Sequence, residues 1–171
     1  MLVWRRLDLP GHEACRISGQ TLEGTAVLAD PPCALTYFVV CDDAWRTRSA
    51  HVIGWIGSRS VDLMLIVDNG HWTLNGVPQP QVDGCTDVDL NFSPSTNTLP
   101  IRRLALAVGE SAVVHAAWLR FPDLTMERLD QTYRRTAPLT WQYTSDDFTA
   151  TMEVDEQGLV RRYEGGWEAE G

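Results

Sequence analysis

Apolar and polar residues alternate along most of this chain in short runs that glycine, proline and asparagine interrupt. Period-two alternation between turn residues is the pattern of half-buried strands. The first half offers "LVWRRLD", "HEACRIS" and "TAVLA", then a long pair, "CALTYFVVCD" and "RTRSAHVIGWI", with "CDDAW" as the turn between them. "SVDLMLIVD" runs through Asn69 and Gly70 into "HWTLNG", and Asn-Gly between apolar runs is a strong hairpin signal. "SAVVHAAWLRF", "LTMERLDQTYRRT", "LTWQYTS" and "FTATMEV" continue the theme, and "DEQG" turns the chain into "LVRRYEGGW". No internal repeat or low-complexity linker divides these runs. The pattern predicts a single mainly β domain over residues 1–171, built as one extended antiparallel meander.

Residues 98–108 break the alternation. Asn97 or Thr98 is placed to cap a helix, Pro100 is tolerated in its first turn, and Gly109 follows its end. At about 100° per residue, Ile101, Leu104, Ala105 and Val108 fall on one stripe. Leu99 and Leu106 take the opposite face, flanked by Arg102 and Arg103. A helix apolar on both sides is enclosed rather than laid on a surface, which predicts an antiparallel sheet curled around one helix.

Composition narrows the function classes. The chain has 171 residues, 44% hydrophobic and 22% charged, which suits one globular domain and excludes wholesale disorder. The net charge is −9 and all 14 basic residues are arginine, so the basic surface that nucleic acids or anionic membranes require is not expected. No apolar run is long enough to span a bilayer, and the N-terminus lacks the apolar core of a secretion signal, so the cytoplasm is the expected compartment. Cys15, Cys33, Cys41 and Cys85 show no C-x-x-C spacing and the four histidines are scattered. No metal and no cofactor is therefore expected, and the cysteines are expected as buried thiols.

The concentrated chemistry lies in "GCTDVDLNFSPSTNTLPIRRL". On a strand, Asp87 and Asp89 point to one face while Val88 and Leu90 point to the other. Arg102 and Arg103 follow after a short connection, so the simplest geometry brings the two pairs together. Charge-assisted carboxylate–guanidinium pairs of this kind would clasp the lone helix to its sheet. Two functional versions stand beside the clasp. In one, Asn97, Arg102 or Arg103 meets a polar head group. In the other, the carboxylates hydrolyse a glycoside, since strand neighbours two apart lie about 6.6–7 Å from each other, inside the inverting-glycosidase range. Any D-x-D strand gives that spacing, and arginines nearby would keep both acids ionised rather than split them into acid and base.

The same segment resembles the hallmark of the putative glycolipid-binding protein family, formerly a domain of unknown function. "ALTYFVVCDDAWRTRSAHV" resembles that family's long central strand pair, "AAWLRFPDL" and "LDQTYRR" the strands after its helix, and "VDEQGLVRRYEGGW" its closing hairpin. Ser93 stands where the family motif usually has threonine. The resemblance implies a spiral β-roll around a single helix, packed as a homodimer. It also implies an architecture similar to the bacterial lipoprotein-localisation factors, which hold acyl chains in a curled sheet. The motif positions it carries over are Asp87, Asp89, Asn97, Pro100, Arg102 and Arg103.

Among seven tryptophans, Trp45 and Trp118 are the pocket candidates, placed in the long strands expected to wrap the helix. Gln131 and Tyr133 share one strand face with Leu129 and are candidates for a polar cavity mouth. The resulting expectation is non-enzymatic binding of an amphipathic small molecule, a glycolipid or acyl-chain metabolite, in an apolar cavity of the roll. Its head group would meet Asp87, Asp89, Asn97, Arg102 and Arg103. The alternatives are an intracellular hydrolase using Asp87 and Asp89, and a structural homodimer without ligand.

Overall fold

The computed structural model of the protein describes residues 1–146 and 148–171. The first limb of the sheet is β1 (Leu2–Arg6), β2 (Gly11–Ser18), β3 (Thr21–Ala29), β4 (Pro32–Cys41), β5 (Thr47–Ile56), β6 (Arg59–Asp68), β7 (His71–Leu74) and the two-residue β8 (Val77–Pro78). The second limb is β9 (Asp87–Leu90), β10 (Ser111–Arg120), β11 (Thr125–Ala137), β12 (Thr140–Ser145), β13 (Phe148–Val154), β14 (Val160–Tyr163) and β15 (Trp167–Ala169), with α1 (Thr98–Leu104) between β9 and β10. All fifteen strands form one sheet that runs β8 to β1, then β15 down to β9. The two limbs join where Trp4 of β1 lies opposite Ala169 of β15. Sequence signals account for the hairpins. At the β6–β7 turn Asn69 and Gly70 take φ of 49° and 83°, the positive pair that a tight right-twisted hairpin needs.

One pairing departs from the expected antiparallel order. β9 lies parallel to β10, with Asp87 opposite Ala116 and Asp89 opposite Trp118. The cause is the connection: the chain leaves β9, passes through α1 and returns in the same direction, which is how parallel neighbours are joined. The β9–β10 ribbon is then covered on both sides. Val88, Leu90, Ala117 and Leu119 join the larger core with Leu35, Leu65 and Trp72 of the first limb. Alternation sends Asp87, Asp89, Ala116 and Trp118 the other way, toward the inner face of the second limb. A second core there contains Val114, Tyr133, Trp141, Tyr143 and Met152, with Ile101 and Leu106 resting on it. Thr47 fastens the ribbon to the first limb: its N–H donates to the Thr86 carbonyl at 3.0 Å and its Oγ1 accepts from Val88 N–H at 2.9 Å. The sheet has wound until one edge strand sits inside the other limb.

The helix is shorter than the apolar stripe suggests. It ends at Leu104, because Ala105 adopts a left-handed conformation (φ 46°, ψ 38°). Leu106 then drops onto the second core, and its carbonyl accepts from Arg135 Nη1 at 2.8 Å instead of continuing the helix. Val108, assigned above to the helix stripe, is 55% exposed. Asn97 does not cap: its backbone is already helical, continuing a 3-10 turn over Ser95–Asn97, and no side-chain cap bond forms.

Candidate ligand-binding cleft

Asp87 and Asp89 leave β9 on the same side, as the D-x-D spacing requires, yet they meet different partners. Asp87 is buried and receives two bonds from Arg103, Nε to Oδ1 at 3.1 Å and Nη2 to Oδ2. Thr86 Oγ1 adds a third at 2.9 Å. This is the clasp of α1 to the sheet. Asp89 meets no arginine among the described residues. Gln131 Nε2 donates to its Oδ2 at 2.6 Å, and burial pushes its carboxyl up to about 6. The expected meeting of the acid pair with the arginine pair thus occurs at Asp87, while Asp89 takes a glutamine instead. Successive helical residues diverge by about 100°, so only one of the two arginines faces β9.

Arg102 is the one that turns away. Its guanidinium lies 4.2 Å from the centre of the Trp45 ring and its Nε donates to the Gln157 carbonyl at 2.5 Å. Gly158 makes this approach possible: a Cβ there would come within 3.2 Å of Ile101 Cγ2 and 3.5 Å of Arg102 Cγ. Trp45 sits in the β4–β5 turn at φ 61° rather than in a strand that wraps the helix. Arg102 and Trp45 thus leave the group of residues around Asp89. They line a smaller groove of about 380 Å³ with Arg135, Leu139 and Trp141.

Room for a ligand lies not inside the roll, where Leu35, Leu65, Leu90 and Leu119 are fully buried, but in an open cleft of about 750 Å³. One wall is the 91–97 segment, through Asn91, Ser93, Pro94 and Asn97. The facing surface is the second limb, through Trp118, Leu129, Tyr143, Phe148, Tyr163 and Trp167. Asp89 lines the cleft between them. Of the residues singled out in the sequence, Asp89, Asn97 and Trp118 line this space. Gln131 and Tyr133 stand behind it, both buried: Gln131 holds Asp89, and Tyr133 Oη donates to Asn97 Oδ1 at 2.8 Å. Asn97 Nδ2 donates in turn to the Pro94 carbonyl at 3.0 Å, so both ends of its amide fix the wall.

The aromatic surface was not singled out from the sequence. Phe148 and Tyr163 stack with ring planes 7° apart, and Tyr143 meets both rings with centroids 6.1 Å away. Their positions do carry a signal, since Tyr143 pairs with Tyr133, and Tyr163 with Trp167, on one face of the sheet. Arg6, also on the cleft, is held by Asp8 through two bonds of 2.7 and 2.9 Å and lies 5.8 Å from the Trp167 ring centre.

Behind Ser93 lies a buried polar cluster that the sequence reading missed. Glu13 Oε1 accepts from Tyr37 Oη at 2.5 Å and from Ser93 Oγ at 2.6 Å, while its Oε2 has no hydrogen-bond partner among the described residues. Ser95 Oγ lies 2.7 Å from both Tyr37 Oη and Ser93 Oγ. Burial pushes the Glu13 carboxyl up to about 8. The cluster ties the cleft wall to β2 and β4 of the first limb. Nearby, burial also pushes the Cys15 thiol up to about 12, and all four cysteines are free and buried. No cluster of three or more metal-binding side chains occurs among the described residues.

The model of a family described as "Putative glycolipid-binding" matches residues 1–169. The chain belongs to this putative glycolipid-binding family. A crystal structure of a DUF1089 family protein from Pseudomonas aeruginosa is 34% identical over 91% of this chain and 89% of that one, with a TM-score of 0.84. The likeness bears out the mainly β fold with one short helix that the residue pattern, and separately the family resemblance, led one to expect. No curated protein matches the chain. Among the described residues no helix is long and apolar enough to cross a membrane.

Proposed function

We propose that the chain binds a glycolipid-type amphipathic molecule and holds its saccharide head group in the cleft between the 91–97 segment and the second limb. The observation that carries this reading is the lining. Rings of Trp118, Tyr143, Phe148 and Trp167 adjoin the polar ends of Asp89, Asn91, Asn97 and Arg6. A pyranose offers the matching mixture: its C–H face packs on rings, and its hydroxyls reach carboxylate and amide. The volume of about 750 Å³ falls within the range of roughly 300–1,000 Å³ usual for small-ligand sites. Because the roll interior is filled by side chains, the acyl tail leaves the cleft past Phe148, which is 49% exposed, rather than entering the core. The reading is one of binding without turnover, and the family description supports the ligand class.

The test is tryptophan fluorescence during titration with an octyl glycoside kept below its micelle concentration. Trp118 and Trp167 both line the cleft and report on it. A saturable response that Phe148→Ala weakens by about tenfold is the expected result, since a lost ring contact of this kind is worth on the order of 1–1.5 kcal/mol. A response that never saturates, or one indifferent to Phe148, would overturn the reading.

A further inference from the structure

Two rings of the cleft already carry a cation. Arg6 lies over Trp167 at 5.8 Å and Arg120 over Trp118 at 5.1 Å. Each guanidinium is neutralised by a carboxylate of its own: Asp8 for Arg6, and Glu127 at 2.9 Å for Arg120. Asp89 is the opposite case. It is a carboxylate lining the same cleft, opposite Trp118 across the β9–β10 ladder, and among the described residues its one hydrogen-bond partner is a neutral amide. Its neighbour Asp87 has taken Arg103, and Arg102 has turned to Trp45. The remaining acids on the cleft, Asp146 and Glu164, add negative charge, and among the described residues the arginine lining it, Arg6, is already paired with Asp8.

We propose that the bound head group carries an ammonium, seated between the Asp89 carboxylate and the rings of Trp118, Tyr143 and Tyr163. The proposal deepens the head-group reading and rests on it. Electron-rich ring faces and an uncompensated carboxylate together are the arrangement that recognises organic ammonium groups. They supply attraction in a partly dry site, where charge pairing is stronger than in water. Burial disfavours the charged form of Asp89 and raises its carboxyl to about 6, so the carboxylate present at neutral pH lacks a compensating charge. An ammonium supplies the positive charge that the fold does not. A phosphorylated or sulfated head group would meet only acids and an arginine already held by Asp8. Aminosugars and amine-bearing head groups are thus the favoured class.

Calorimetric titration at neutral pH with three octyl glycosides decides the matter: one uncharged, one bearing a primary amine, and one bearing a phosphate. The amine is expected to bind about tenfold more tightly than the uncharged glycoside, corresponding to roughly 1.4 kcal/mol, and the phosphate most weakly. Asp89→Asn keeps the acceptor for Gln131 and is expected to remove the preference, bringing amine and uncharged glycoside to equal affinity. Should that variant not fold, Trp118→Leu serves in its place and is expected to weaken both glycosides, the amine more than the uncharged one, so that the preference narrows. Equal binding of amine and uncharged glycoside by the unaltered protein would overturn the ammonium site and leave the head-group reading standing. A preference that survives Asp89→Asn unchanged would overturn it as well. If none of the three binds, the head-group reading itself fails and takes the ammonium site with it.

Discussion

Arg103 and Asp87 are joined by a two-point contact between a short helix and an otherwise enclosed strand, with the Asp87 side chain 2% and the Arg103 side chain 17% exposed. Neighbouring residues of the same types do something else. Arg102 stacks on a tryptophan and Asp89 takes a glutamine. A motif of two acids and two arginines therefore resolves into one ion pair and two single residues with separate tasks.

Removing one partner of the pair leaves a buried charge alone. Arg103→Ala or Asp87→Ala is expected to destabilise the fold by about 3–5 kcal/mol, read as a shift in urea midpoint at constant slope. The double variant should lose less than the sum of the two singles, because the penalty of the orphaned charge is then gone.

Arg102→Ala is expected to be much milder, about 1–2 kcal/mol, because it loses one ring contact and one bond to a carbonyl but strands no carboxylate. Measuring both arginine variants under one denaturant curve separates the two roles. Equal losses would contradict this division of roles between Arg102 and Arg103.

Glu13 governs a pH dependence whose sign follows from its environment. Burial raises its carboxyl from the ordinary 4.5 to about 8, against the lowering effect of the Ser93 and Tyr37 hydroxyls. The unfolded chain gives up this proton as pH passes 4.5, whereas the folded chain keeps it until about 8. The stability that neutral Glu13 allows is complete below the first value and is lost progressively up to the second. Glu13→Gln resembles the protonated acid. It is expected to match the parent near pH 4 and exceed it by on the order of 3–5 kcal/mol near pH 9. Denaturant curves at the two pH values check this.

Gly24→Ala probes the same cluster sterically. A Cβ at position 24 would press on the Tyr37 hydroxyl and come within 2.7 Å of the Ala14 carbonyl oxygen. Tyr37 reaches Glu13 only because that space is empty. A loss of about 2–3 kcal/mol is expected, lowering the melting temperature of a chain this size by roughly 4–12 °C.

Much of the architecture is legible in the residues. Asn69-Gly70, the paired runs at 33–42 and 46–56, and the break at Pro100 each fix a local choice that the tertiary fold retains. The parallel β9–β10 pair is not legible, because strand direction depends on where the crossover lands, and "TDVDL" reads the same in either sense. The left-handed turn at Ala105 is equally silent, since alanine carries no αL signal. At the cleft, the D-x-D alternation correctly places Asp89 on the face of Trp118. The helical step of about 100° separates Arg102 from Arg103; what escapes is the partner Arg102 meets, the Trp45 ring brought in from a distant turn. Glu13 escapes for a related reason: in "GHEACRIS" it looks like an ordinary exposed acid, and its partners Tyr37 and Ser93 come from distant segments.

The winding of the sheet also decides how its two ends meet the outside. An open sheet normally displays unpaired N–H and C=O groups along two borders, where further strands can be recruited. Here one border, β9, is swallowed by the roll. The other, β8, is two residues long and ends in Pro78, which has no N–H to offer. These two end strands thus offer little to a sixteenth strand, through topology rather than charged guards, whereas the Arg59–Leu63 part of β6, which β7 does not reach, is left without a strand partner on that side.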